Sequence, residues 1–538
     1  MARASPPSLP DELTLELGLD EADDELALKQ LVAHKLGRPV EEIPVSRIAK
    51  RVIDARRGKV RFHLTVALTP APRKEELGLP DPREVARPAR VVIVGDGPAG
   101  LFCAYELARH GVASIVVDRG KTVQPRRIDL KGLNRENLVD EDSNYCHGEG
   151  GAGTYSDGKL YTRSTKRGDV RDVLEILARH DAPVDILTDA RPHIGSNLLP
   201  KVVTSIREQL QACGVRFLFG QRVTGLRLSG SGSDRRIVGV SLQRTSSADE
   251  VGTLDADAVV LATGHSARDV YEFLHADGVA IEAKPFALGV RIEHPQPLIN
   301  QIQYGAAAGH THLPSAPYRL AHTVDAGGVF SFCMCPGGFI VPASTDATGL
   351  VVNGMSLKRR DSPFANSGLV ASISLQDATR AGFSGPLALL RLQQALEASA
   401  KVAGGGTLKA PATRATDFVA RRSSMTLPAT SYQPGLFATD VGVVLDSIGI
   451  PVANRLREAL RVFDRQMRGY LTDDAVLVGV ESRTSAPVRI LRDDGTLMSP
   501  GVTGLYPSGE GAGYAGGIVS AAIDGMRVAR AIIANKQR

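Results

Sequence analysis

The sequence predicts a multidomain α/β protein, with an α/β domain divided along the chain by an inserted α+β domain and preceded by a small α+β module. Three observations support this fold class: the length of 538 residues, a complete βαβ unit that begins near residue 90, and a glycine-rich strand, loop and helix near the C-terminal end. At roughly 150 residues per domain, this length makes room for about three or four domains. The predicted boundaries are the module over residues 1–75, a proline-rich linker over 76–89, the two parts of the α/β domain over 90–284 and 481–538, and the inserted domain over 285–480.

The composition is that of an ordinary globular chain, with 43% hydrophobic and 23% charged residues, which excludes a disordered, collagen-like or coiled-coil protein. The 64 basic and 59 acidic side chains leave a net charge of +5, which is too small over this length to predict binding to nucleic acid or to an anionic membrane. The five cysteines are sparse and odd in number, unlike those of a disulfide-rich secreted domain. Because the chain shows no export signal and no apolar run of about 18 residues, the sequence predicts a cytoplasmic protein without a membrane partner.

The N-terminal segment reads as strand, helix, strand and strand. Alternating leucines from Leu13 to Leu17 predict the first strand, DDELALKQLVAHKLG predicts the helix, and alternating apolar residues from Val60 to Leu68 predict the last strand. Prolines at positions 70, 72, 80, 82 and 88 then predict a linker that carries neither a helix nor a strand ladder. A new domain is therefore expected to begin near Arg90.

The stretch from Arg90 to Gly120 is the most informative part of the sequence. The buried strand VVIV runs into the loop Gly95-Asp96-Gly97-Pro98-Ala99-Gly100, a helix follows, and SIVVD forms a second strand that ends at Asp118. In such a βαβ unit the first glycine permits a tight turn, the second lets the backbone approach a pyrophosphate, and the third lets helix and strand pack closely. The acidic side chain at the end of the second strand can accept a hydrogen bond from a ribose hydroxyl. The pattern therefore predicts a dinucleotide site.

Other segments complete the predicted domains. KVVTSIREQLQACG predicts an amphipathic helix, and VRFLFGQRVTGLRL with RIVGVSLQR predicts a hairpin. The buried strand DADAVVL runs into Ala262, Thr263 and Gly264, a sharp stop that lets the main chain cross close to a bound nucleotide. The inserted domain shows mixed strands and one clear helix, PLALLRLQQALEASAKVAG, and GLYPSGEGAGYAGGIVSAAIDGMRVARAII predicts a closing strand, glycine-rich loop and long helix.

A βαβ phosphate site fits NAD and FAD equally, so the choice between them depends on the rest of the chain. The C-terminal loop Gly509-Glu510-Gly511 places a carboxylate where it can accept hydrogen bonds from ribityl hydroxyls. The helix that follows points its positive end at the pyrimidine ring of a flavin, which favours the anionic reduced form. The order of motifs resembles that of the FAD-dependent oxidoreductases of the glutathione-reductase-like and hydroxylase-like superfamily.

A more specific resemblance rests on six strings: GEGGAGTYSDGKL (148–160), ATGHSARD (262–269), PFALGVRIEHPQ (285–296), FSFCMCPGGF (330–339), RTSAPVRI (483–490) and GLYPSGEGAGYAGGI (504–518). These strings are similar to those of the bacterial family of uncharacterised FAD-dependent dehydrogenases, over nearly the whole chain. The resemblance implies FAD at the βαβ unit, with Asp118 on the adenosine ribose, Val223 beside the adenine and Glu510 on the ribityl chain. It implies no particular substrate.

The candidate cofactor residues follow from the motifs and the resemblance together. The segment from Gly148 to Gly153 suits a backbone that lies against a flat ring, although a surface loop would have the same composition. The residues expected to contact FAD are Gly95, Gly97, Pro98, Ala99, Gly100, Asp118, Arg119, Gly153, Thr154, Val223, Thr263, Gly264, Gly509, Glu510, Gly517 and Ile518. Ser156 and Lys159 add donors at the edge of this set.

No second GxGxxG follows a strand, so the sequence predicts no separate domain for NAD(P)H. NAD(P)H stays open as a transient reductant, because a hydroxylase-like flavoprotein binds it without such a domain. Asp157-Gly158 resembles the Asp-Gly motif of flavin hydroxylases, but the Ser and Arg expected downstream are replaced by Tyr161 and Ser164.

Four side chains are candidates for chemistry: Cys333, Cys335, His265 and Arg483. If SFCMC is a strand, the two cysteines project from the same face. They could then act as a redox pair, as a partner of the flavin or, together with His310 and His312, as zinc ligands. The alternative is that both are small buried hydrophobic residues without a chemical role. A disulfide across one intervening residue would be strained, and no metal site is predicted. His265 and Arg483 could attract an anionic substrate or stabilise the negative charge of reduced flavin. The alternative is that both bind main-chain carbonyls in loops.

The sequence thus predicts an FAD-dependent oxidoreductase that exchanges a hydride between flavin and a small molecule held against the inserted domain. A monooxygenase of the same fold is one alternative. Another is a flavin-dependent RNA-modifying or RNA-binding protein, motivated by the basic cluster Lys50-Arg51, Arg56-Arg57 and Lys59, although the sequence gives little aromatic interleaving for base stacking. The sequence names neither the substrate, the reductant nor the oligomeric state.

Overall fold

The structure is a computed structural model that describes residues 9–21, 23–44, 47–55, 59–68, 80–162, 168–189, 191–247, 251–324 and 327–536. Its architecture is mixed α/β, with a five-stranded parallel sheet, a seven-stranded sheet and several smaller sheets among the described residues. This confirms the predicted fold class.

The N-terminal module forms as strand, helix, strand and strand. Its elements are β1 (Glu12–Leu17), α1 (Glu25–Leu36), β2 (Arg47–Asp54) and β3 (Arg61–Ala67). The sheet is antiparallel with β3 in the middle, and the alternation along β3 buries Phe62, Leu64 and Val66 against the helix. The side chain of Asp24 caps the start of α1, and Gly37 ends the helix with a φ of 64°.

The module packs against the inserted domain. In the loop after residue 307, His310 Nε2 lies 3.0 Å from Asp20 Oδ1, and His312 Nδ1 lies 2.7 Å from Leu19 O. Leu313 is packed against the cores of both units. The two histidines therefore contact the module rather than the two cysteines with which a zinc set was considered.

The basic cluster of the module is only partly described. Arg51 forms an ion pair with Asp23 and lies 5.3 Å from the centre of the Phe62 ring. Arg56 and Arg57 lie outside the described residues.

The first part of the α/β domain contains, in the order of the chain, β4 (Ala86–Val94), α2 (Pro98–Arg109), β5 (Val112–Asp118), α3 (Val123–Lys131), α4 (Val170–Arg179), α5 (Leu199–Ala212), β6 (Arg216–Phe219), β7 (Gln221–Ser229), β8 (Arg235–Arg244), β9 (Val251–Asp255), β10 (Ala258–Leu261), α6 (Arg268–Ala276) and β11 (Ile281–Ala283). The predicted βαβ unit is β4, α2 and β5, and the predicted hairpin is β7 with β8.

The start of β4 differs from the prediction. The prolines predicted no ladder before Arg90, but β4 begins at Ala86, which pairs with Val112. The register of this ladder shifts between Ala86 and Val91. Such an irregularity accommodates Pro88, which has no N–H to donate. The prolines at positions 70 and 72 lie outside the described residues.

The inserted domain contains β12 (Phe286–Pro295), α7 (Gln296–Tyr304), β13 (Ala321–Val324), β14 (Gly327–Cys335), β15 (Gly338–Pro342), β16 (Val352–Ser356), β17 (Phe364–Ile373), α8 (Leu375–Arg380), α9 (Ala388–Ala403), β18 (Ala410–Arg414), α10 (Ala415–Ala420), β19 (Leu436–Ala438), α11 (Val441–Asp446), α12 (Val452–Gln466) and β20 (Val476–Glu481). Its main sheet has the order β13-β14-β17-β12-β20-β18-β19. The predicted clear helix is α9. Helix α12 was not predicted, although its buried Leu456, Leu460 and Phe463 recur at helical spacing.

The C-terminal elements are β21 (Val488–Ile490), β22 (Val502–Thr503), β23 (Leu505–Pro507) and α13 (Ile518–Lys536). Strand β23 joins the parallel sheet, whose order is β23-β10-β4-β5-β6, and α13 packs on α2. A Cβ on Gly525 would lie 2.0 Å from Ala99 O, so the two helices approach closely because this position has no side chain. The chain therefore closes its α/β domain from both ends.

The parallel sheet positions the site. Because its strands run in one direction, the segments that follow them meet at one edge of the sheet. These segments begin at Gly95 after β4, Asp118 at the end of β5, Ala262 after β10 and Ser508 after β23. Motifs far apart in the sequence thus share one edge.

Candidate active site

A cleft with a volume of about 440 Å³ lies at the carboxyl edge of the parallel sheet. The predicted residues that line it are Gly95, Gly97, Pro98, Ala99, Asp118, Arg119, Gly153, Val223, Thr263, Gly264, His265, Cys333, Arg483, Glu510, Gly517 and Ile518. The inserted domain contributes the opposite wall through Phe332 and Cys333 of its main sheet and Asn353 of β16. A larger, more open depression of about 760 Å³ lies on the inserted domain beside Asp440, and no predicted site residue lines it.

The glycines of the βαβ loop have distinct geometric roles. Gly95 has a φ of +102°, and a Cβ at this position would lie 2.4 Å from Ala262 O. A Cβ on Gly100 would lie 1.9 Å from Gly95 O, so only glycine allows α2 to start this close to β4. Gly97 is different, because its missing Cβ would face open space with Gly151 Cα as the nearest atom at 4.0 Å. The first and third glycines are required by the fold, and the second leaves the cleft open.

The start of α2 faces this opening. Gly97 is the N-cap of the helix and makes no side-chain capping hydrogen bond, and Pro98 occupies the first turn. The N–H groups at the start of a helix have no partner within the helix, and they bind phosphate readily. This arrangement fits the pyrophosphate of a dinucleotide.

Asp118 lies beside the βαβ loop and is nearly buried. Its carboxylate accepts from three backbone N–H groups, those of Asp96 at 3.0 Å, Gly120 at 2.8 Å and Gly148 at 3.0 Å. A carboxylate has about four lone-pair sites, so one acceptor site is left for a ribose hydroxyl. Asp118 also holds the glycine-rich segment against β5, a role that the sequence did not predict.

The glycine-rich segment from Gly148 to Gly153 is anchored by Arg126, which is fully buried. Its guanidinium donates to four main-chain carbonyls, and the oxygens of Glu149 and Gly151 are both 2.8 Å away. Thr154 points inward, since its hydroxyl donates to Glu149 O at 2.7 Å, and it does not line the cleft. Gly153 lines the cleft, but Thr154 supports the loop from behind.

The C-terminal loop contributes Glu510 to the cleft, whereas its neighbour Gly509 faces away. The N–H of Gly509 donates to Asp524 Oδ2 at 2.8 Å, and a Cβ there would lie 2.7 Å from Ala99 Cβ. Burial raises the pKa of the Glu510 carboxyl to about 7. Gly509 therefore packs the loop on α2, and Glu510 is the side chain available to a ligand.

The residues present fit FAD. The uncapped start of α2, the open space at Gly97, and the carboxylates of Asp118 and Glu510 supply donors and acceptors along one cleft. In addition, His147 Nε2 faces this region, is buried, and has no hydrogen-bond partner among the described residues. Asp118 and the start of α2 would hold the adenosine and pyrophosphate, and Glu510 would hold the ribityl chain.

Arg483 lies in a buried ion network. Its Nη2 is 2.9 Å from Glu397 Oε2, its Nη1 donates to Thr345 Oγ1 at 2.8 Å, and Arg268 Nη2 reaches the same Glu397 oxygen at 2.6 Å. Burial alone would raise the pKa of Glu397, but the two guanidiniums lower it to about 2. The partners of Arg483 are thus side chains rather than the main-chain carbonyls considered above, and its charge is compensated by Glu397.

His265 lines the cleft beside this network, and its Nδ1 is 3.1 Å from Ser266 Oγ. Burial, together with the positive charges of Arg483 and Arg268, lowers the pKa of the imidazole to about 4. His265 is therefore neutral at physiological pH and does not attract an anion by charge.

Of the two candidate cysteines, Cys333 lines the cleft and Cys335 does not. Cys333 exposes its side chain to the cleft, whereas Cys335 is buried. Lys159 Nζ lies 3.6 Å from each sulfur and 3.0 Å from Asp157 Oδ2. Asp157 also accepts from Arg360 at 2.9 Å and from Ser356, which joins the Asp-Gly segment to the inserted domain.

Two buried side chains of β12, Arg291 and His294, have partners within the inserted domain. Arg291 is buried and forms an ion pair of 2.7 Å with Glu481. His294 Nε2 is 2.8 Å from Tyr470 O, and burial lowers its pKa to about 4. Among the residues the structure describes, no group of three or more His, Cys, Asp or Glu side chains is arranged to hold a metal ion.

Sequence reasoning missed Glu397, the residue at the centre of the ion network. One face of its helix, α9, is buried and is apolar apart from two polar residues. This face carries Leu389, Gln393, Leu396 and Glu397. A glutamate on the apolar face of an amphipathic helix is a signal of a buried ion pair, because an unpaired charge would not be buried there. The identity of its arginine partners was not readable from the sequence.

Comparison with known proteins agrees with this site. A model of the FAD binding domain matches residues 88–129, and a model described as "FAD-dependent protein, C-terminal domain-like" matches residues 285–484. A domain of unknown function matches residues 10–69. The fold and the cleft thus define an FAD-binding flavoprotein.

A protein from Clostridium beijerinckii, described as an uncharacterized protein, is 39% identical over 540 residues, which cover 96% of this chain and 97% of that protein. The chain belongs to the same family as this protein, and its sequence resembles the uncharacterised FAD-dependent dehydrogenases. It is an FAD-dependent oxidoreductase.

Solved structures of flavoproteins are similar at low identity. A triple mutant of the flavin-dependent brominase Bmp2 is 12% identical over 84% of this chain and 81% of that chain, with a TM-score of 0.38. Glycerol-3-phosphate dehydrogenase from Bacillus halodurans, complexed with FAD, is 10% identical over 84% of this chain and 66% of that chain, with a TM-score of 0.37. At these scores their reactions carry no information about this chain. Among the described residues, no helix is both long and apolar enough to cross a membrane.

Proposed function

We propose that the protein transfers a hydride between FAD and a small molecule that is bound between the cofactor and the inserted sheet. The observation that supports this is the composition of the cleft. One wall carries the βαβ loop and Glu510, and the other carries Phe332, Cys333 and Asn353 of the inserted domain. A second reactant held against that wall would lie next to the part of the cleft assigned to the flavin.

FAD, when bound, supplies a group that accepts or donates a hydride. The chain's own residues determine where it sits and what surrounds it. The backbone at the start of α2 would bind the pyrophosphate. Asp118 would accept a hydrogen bond from the adenosine ribose, and Glu510 would accept one from the ribityl chain. The inserted sheet would exclude water from the reacting atoms. The positive end of α13, beginning at Ile518, would favour negative charge near the cleft.

NAD(P)H is the proposed reductant, bound transiently in the same cleft. The α/β domain supplies one βαβ phosphate site, and the resemblance assigns that site to FAD. A nicotinamide cofactor would therefore enter from the side of the inserted sheet and leave after reducing the flavin.

The visible absorption spectrum of the purified full-length protein tests this proposal, before and after anaerobic addition of NADPH and then NADH. A two-banded yellow spectrum that bleaches is the expected result, and the nucleotide that bleaches it identifies the reductant. A yellow protein that neither nucleotide bleaches would contradict NAD(P)H as the reductant. A colourless protein that also fails to take up added FAD would contradict the proposed function.

A further inference from the structure

The geometry of Cys333 and Cys335 departs from that of an ordinary strand pair. The register between β14 and β17 shifts between Phe332 and Cys335, and Cys333 has a φ of 45°, in the left-handed region that few non-glycine residues adopt. This bulge turns the Cys333 side chain into the cleft. Cys335 stays buried behind it, with its thiol donating to Cys333 O at 3.3 Å. The Cys333 thiol is thus accessible from the cleft, and the Cys335 thiol is not.

Lys159 connects the two sulfurs, since its ammonium lies 3.6 Å from each. Its position is held by the ion pair with Asp157 and by a main-chain bridge between Lys159 and His193. A cation at this distance stabilises the negative charge of a thiolate and so lowers the pKa of the thiol. The lysine is therefore placed to activate whichever sulfur ionises.

The cations nearest the two sulfurs share one carboxylate. Lys159 and Arg360 are both within 3.0 Å of the buried Asp157 carboxylate, which compensates one of them. Arg291 is compensated by Glu481, and burial lowers the pKa of His193 to about 4, so it adds no charge at neutral pH. A thiolate on one of the sulfurs would add a second negative charge next to Lys159, which shares Asp157 with Arg360.

The two thiols differ in how they respond to these surroundings. The neighbouring Cys335 side chain, together with the charges of Lys159 and Arg291, holds the pKa of Cys333 well below its ordinary value. The hydrogen bond to Cys333 and burial raise the pKa of Cys335 well above it. Both shifts favour the thiolate at the exposed sulfur over the buried one.

We propose that Cys333 and Cys335 form a redox-active dithiol whose substrates are low-molecular-weight disulfides. Cys333 attacks, because its sulfur faces the cleft beside Lys159. Cys335 resolves, because it lies one residue away and already contacts the Cys333 main chain. A disulfide across one residue is strained and easily reduced, so the dithiol is the resting form.

The exchange balances without another reactant. The Cys333 thiolate attacks one sulfur of the small disulfide, a Cys333 sulfur–sulfur bond forms, the substrate bond breaks, and one thiolate leaves. Cys335 gives its proton to that leaving thiolate and attacks Cys333 Sγ, which expels the second thiolate. The products are one protein disulfide and two small molecules, a thiol and a thiolate, whose combined negative charge is the one that Cys333 carried. Return of two electrons from reduced flavin in the same cleft would regenerate the dithiol, and this last step rests on the proposed function.

The test treats the FAD-loaded full-length protein with bis(2-hydroxyethyl) disulfide, blocks the remaining thiols, and maps all cysteines by mass spectrometry. We expect a Cys333–Cys335 disulfide, with Cys213 unmodified as an internal control. The variant Cys335→Ser should trap a mixed disulfide on Cys333, and Cys333→Ser should leave Cys335 unmodified. Modification of Cys146, which also lines the cleft, ahead of Cys333 would overturn the proposal.

Variants of the lysine test the electrostatic argument. Lys159→Met should slow the modification of Cys333 by about threefold to tenfold, since the thiolate fraction falls about tenfold per unit of pKa and the greater nucleophilicity partly offsets this. Lys159→Arg should keep most of the rate, and Lys131→Met, at an exposed lysine paired with Glu136, is the matched control. An unchanged rate in a folded, FAD-loaded Lys159→Met protein would overturn the role of the lysine.

The same samples separate this inference from the proposed function. If NAD(P)H bleaches the flavin but Cys333 shows no exchange, the dithiol proposal is wrong and the proposed function stands. If Cys333 exchanges but no nucleotide bleaches the flavin, the dithiol is supported and NAD(P)H as the reductant is contradicted.

Discussion

Arg483 and Glu397 form a buried ion pair, with Nη2 and Oε2 separated by 2.9 Å, that joins the segment after β20 to helix α9 of the inserted domain. Arg268, at the start of α6, reaches the same carboxylate. One glutamate therefore links three separate parts of the chain beside the cleft, and it holds the inserted domain against the FAD-binding domain.

Replacing this glutamate should strongly destabilise the protein. Glu397→Gln leaves the buried Arg483 and the half-buried Arg268 with only the more distant carboxylate of Asp346, 4.0 Å and 3.5 Å away, and breaking a buried pair in this way costs about 3–5 kcal/mol. The midpoint of urea unfolding, followed by far-UV circular dichroism, measures the effect. Glu272→Gln, at an exposed residue 3.9 Å from Arg391, is the matched control and should change little. A Glu397→Gln protein as stable as the wild type would contradict the role of the ion pair.

The pH dependence of this contribution has a defined sign. Glu397 has a pKa of about 2 in the folded protein, below its ordinary value of 4.5. Its stabilising contribution is therefore complete above about pH 4.5 and is lost as the pH falls toward 2. The difference in unfolding midpoint between wild type and Glu397→Gln should shrink on acidification, and a difference that stays constant down to pH 2 would contradict this reading.

The contribution of Asp96 to stability should change with pH in the opposite direction to that of Glu397. Its carboxylate is fully buried, neither oxygen has a well-formed hydrogen bond among the described residues, and burial, with the charges of Asp118 and Glu149, raises its pKa well above the ordinary value. The folded state thus favours the protonated acid, and its stability falls as the pH rises above the unfolded pKa of 3.8. Asp96→Asn should be more stable than the wild type at pH 8 by about 1–3 kcal/mol, because the amide is neutral in both states and needs no proton uptake to be buried.

The measurement is the urea midpoint of both proteins from pH 4 to pH 9, without added FAD. The gain from Asp96→Asn should grow as the pH rises. If the variant is less stable than the wild type at every pH, Asp96 is an ionised, paired carboxylate and the prediction is wrong.

Gly97→Ala should weaken FAD binding without disturbing the fold. The φ of Gly97 is −72°, which alanine adopts freely, and its Cβ would meet no atom of the chain closer than 4.0 Å. It would, however, occupy the space through which a phosphate approaches the backbone. The loss of one such hydrogen bond to a charged group is about 1.5–3 kcal/mol, or at least about tenfold in FAD affinity.

Fluorescence titration of the FAD-free protein measures this affinity. Gly225→Ala is the matched control, because this glycine lies on β7 with nothing within 4 Å of the added Cβ, and it should bind FAD like the wild type. Equal affinities for both variants would place the pyrophosphate elsewhere.

Glu510 gives a fourth prediction. Burial raises its pKa to about 7 in the FAD-free protein, from an ordinary value of 4.5. Ionising it therefore costs stability, and the FAD-free protein should lose on the order of 3 kcal/mol at this residue as the pH rises from 4.5 to 7. Glu510→Gln should be the more stable protein at pH 8 and similar at pH 4.5, as judged by thermal unfolding. A variant that is less stable at pH 8 would show that a charged Glu510 stabilises the fold.

Individual helices, strands and turns could be predicted from the sequence because neighbouring residues determine them. The βαβ unit at Gly95, Gly97 and Gly100 follows from glycine geometry and from apolar periodicity, both of which act within about 30 residues. The end of β5 at Asp118 and the loop at Glu510 follow for the same reason. Where a prediction of local structure was wrong, as at the start of β4, a register shift in the ladder accommodated a residue that the general rule excludes.

What the tertiary structure decided is which side chains meet and which way they face. Thr154 and Gly509 lie in the predicted loops but face away from the cleft, because Glu149 O and Asp524 hold them there. Lys159 meets Cys333 across 174 residues of chain, and Arg483 meets Glu397 across 86. Motif spacing specifies a turn or a helix start, but charge pairing between distant segments depends on how whole sheets pack. The sequence by itself therefore determined a flavoprotein and its phosphate loop, and only the packing of the inserted sheet on that loop decided the surroundings of the reactive groups.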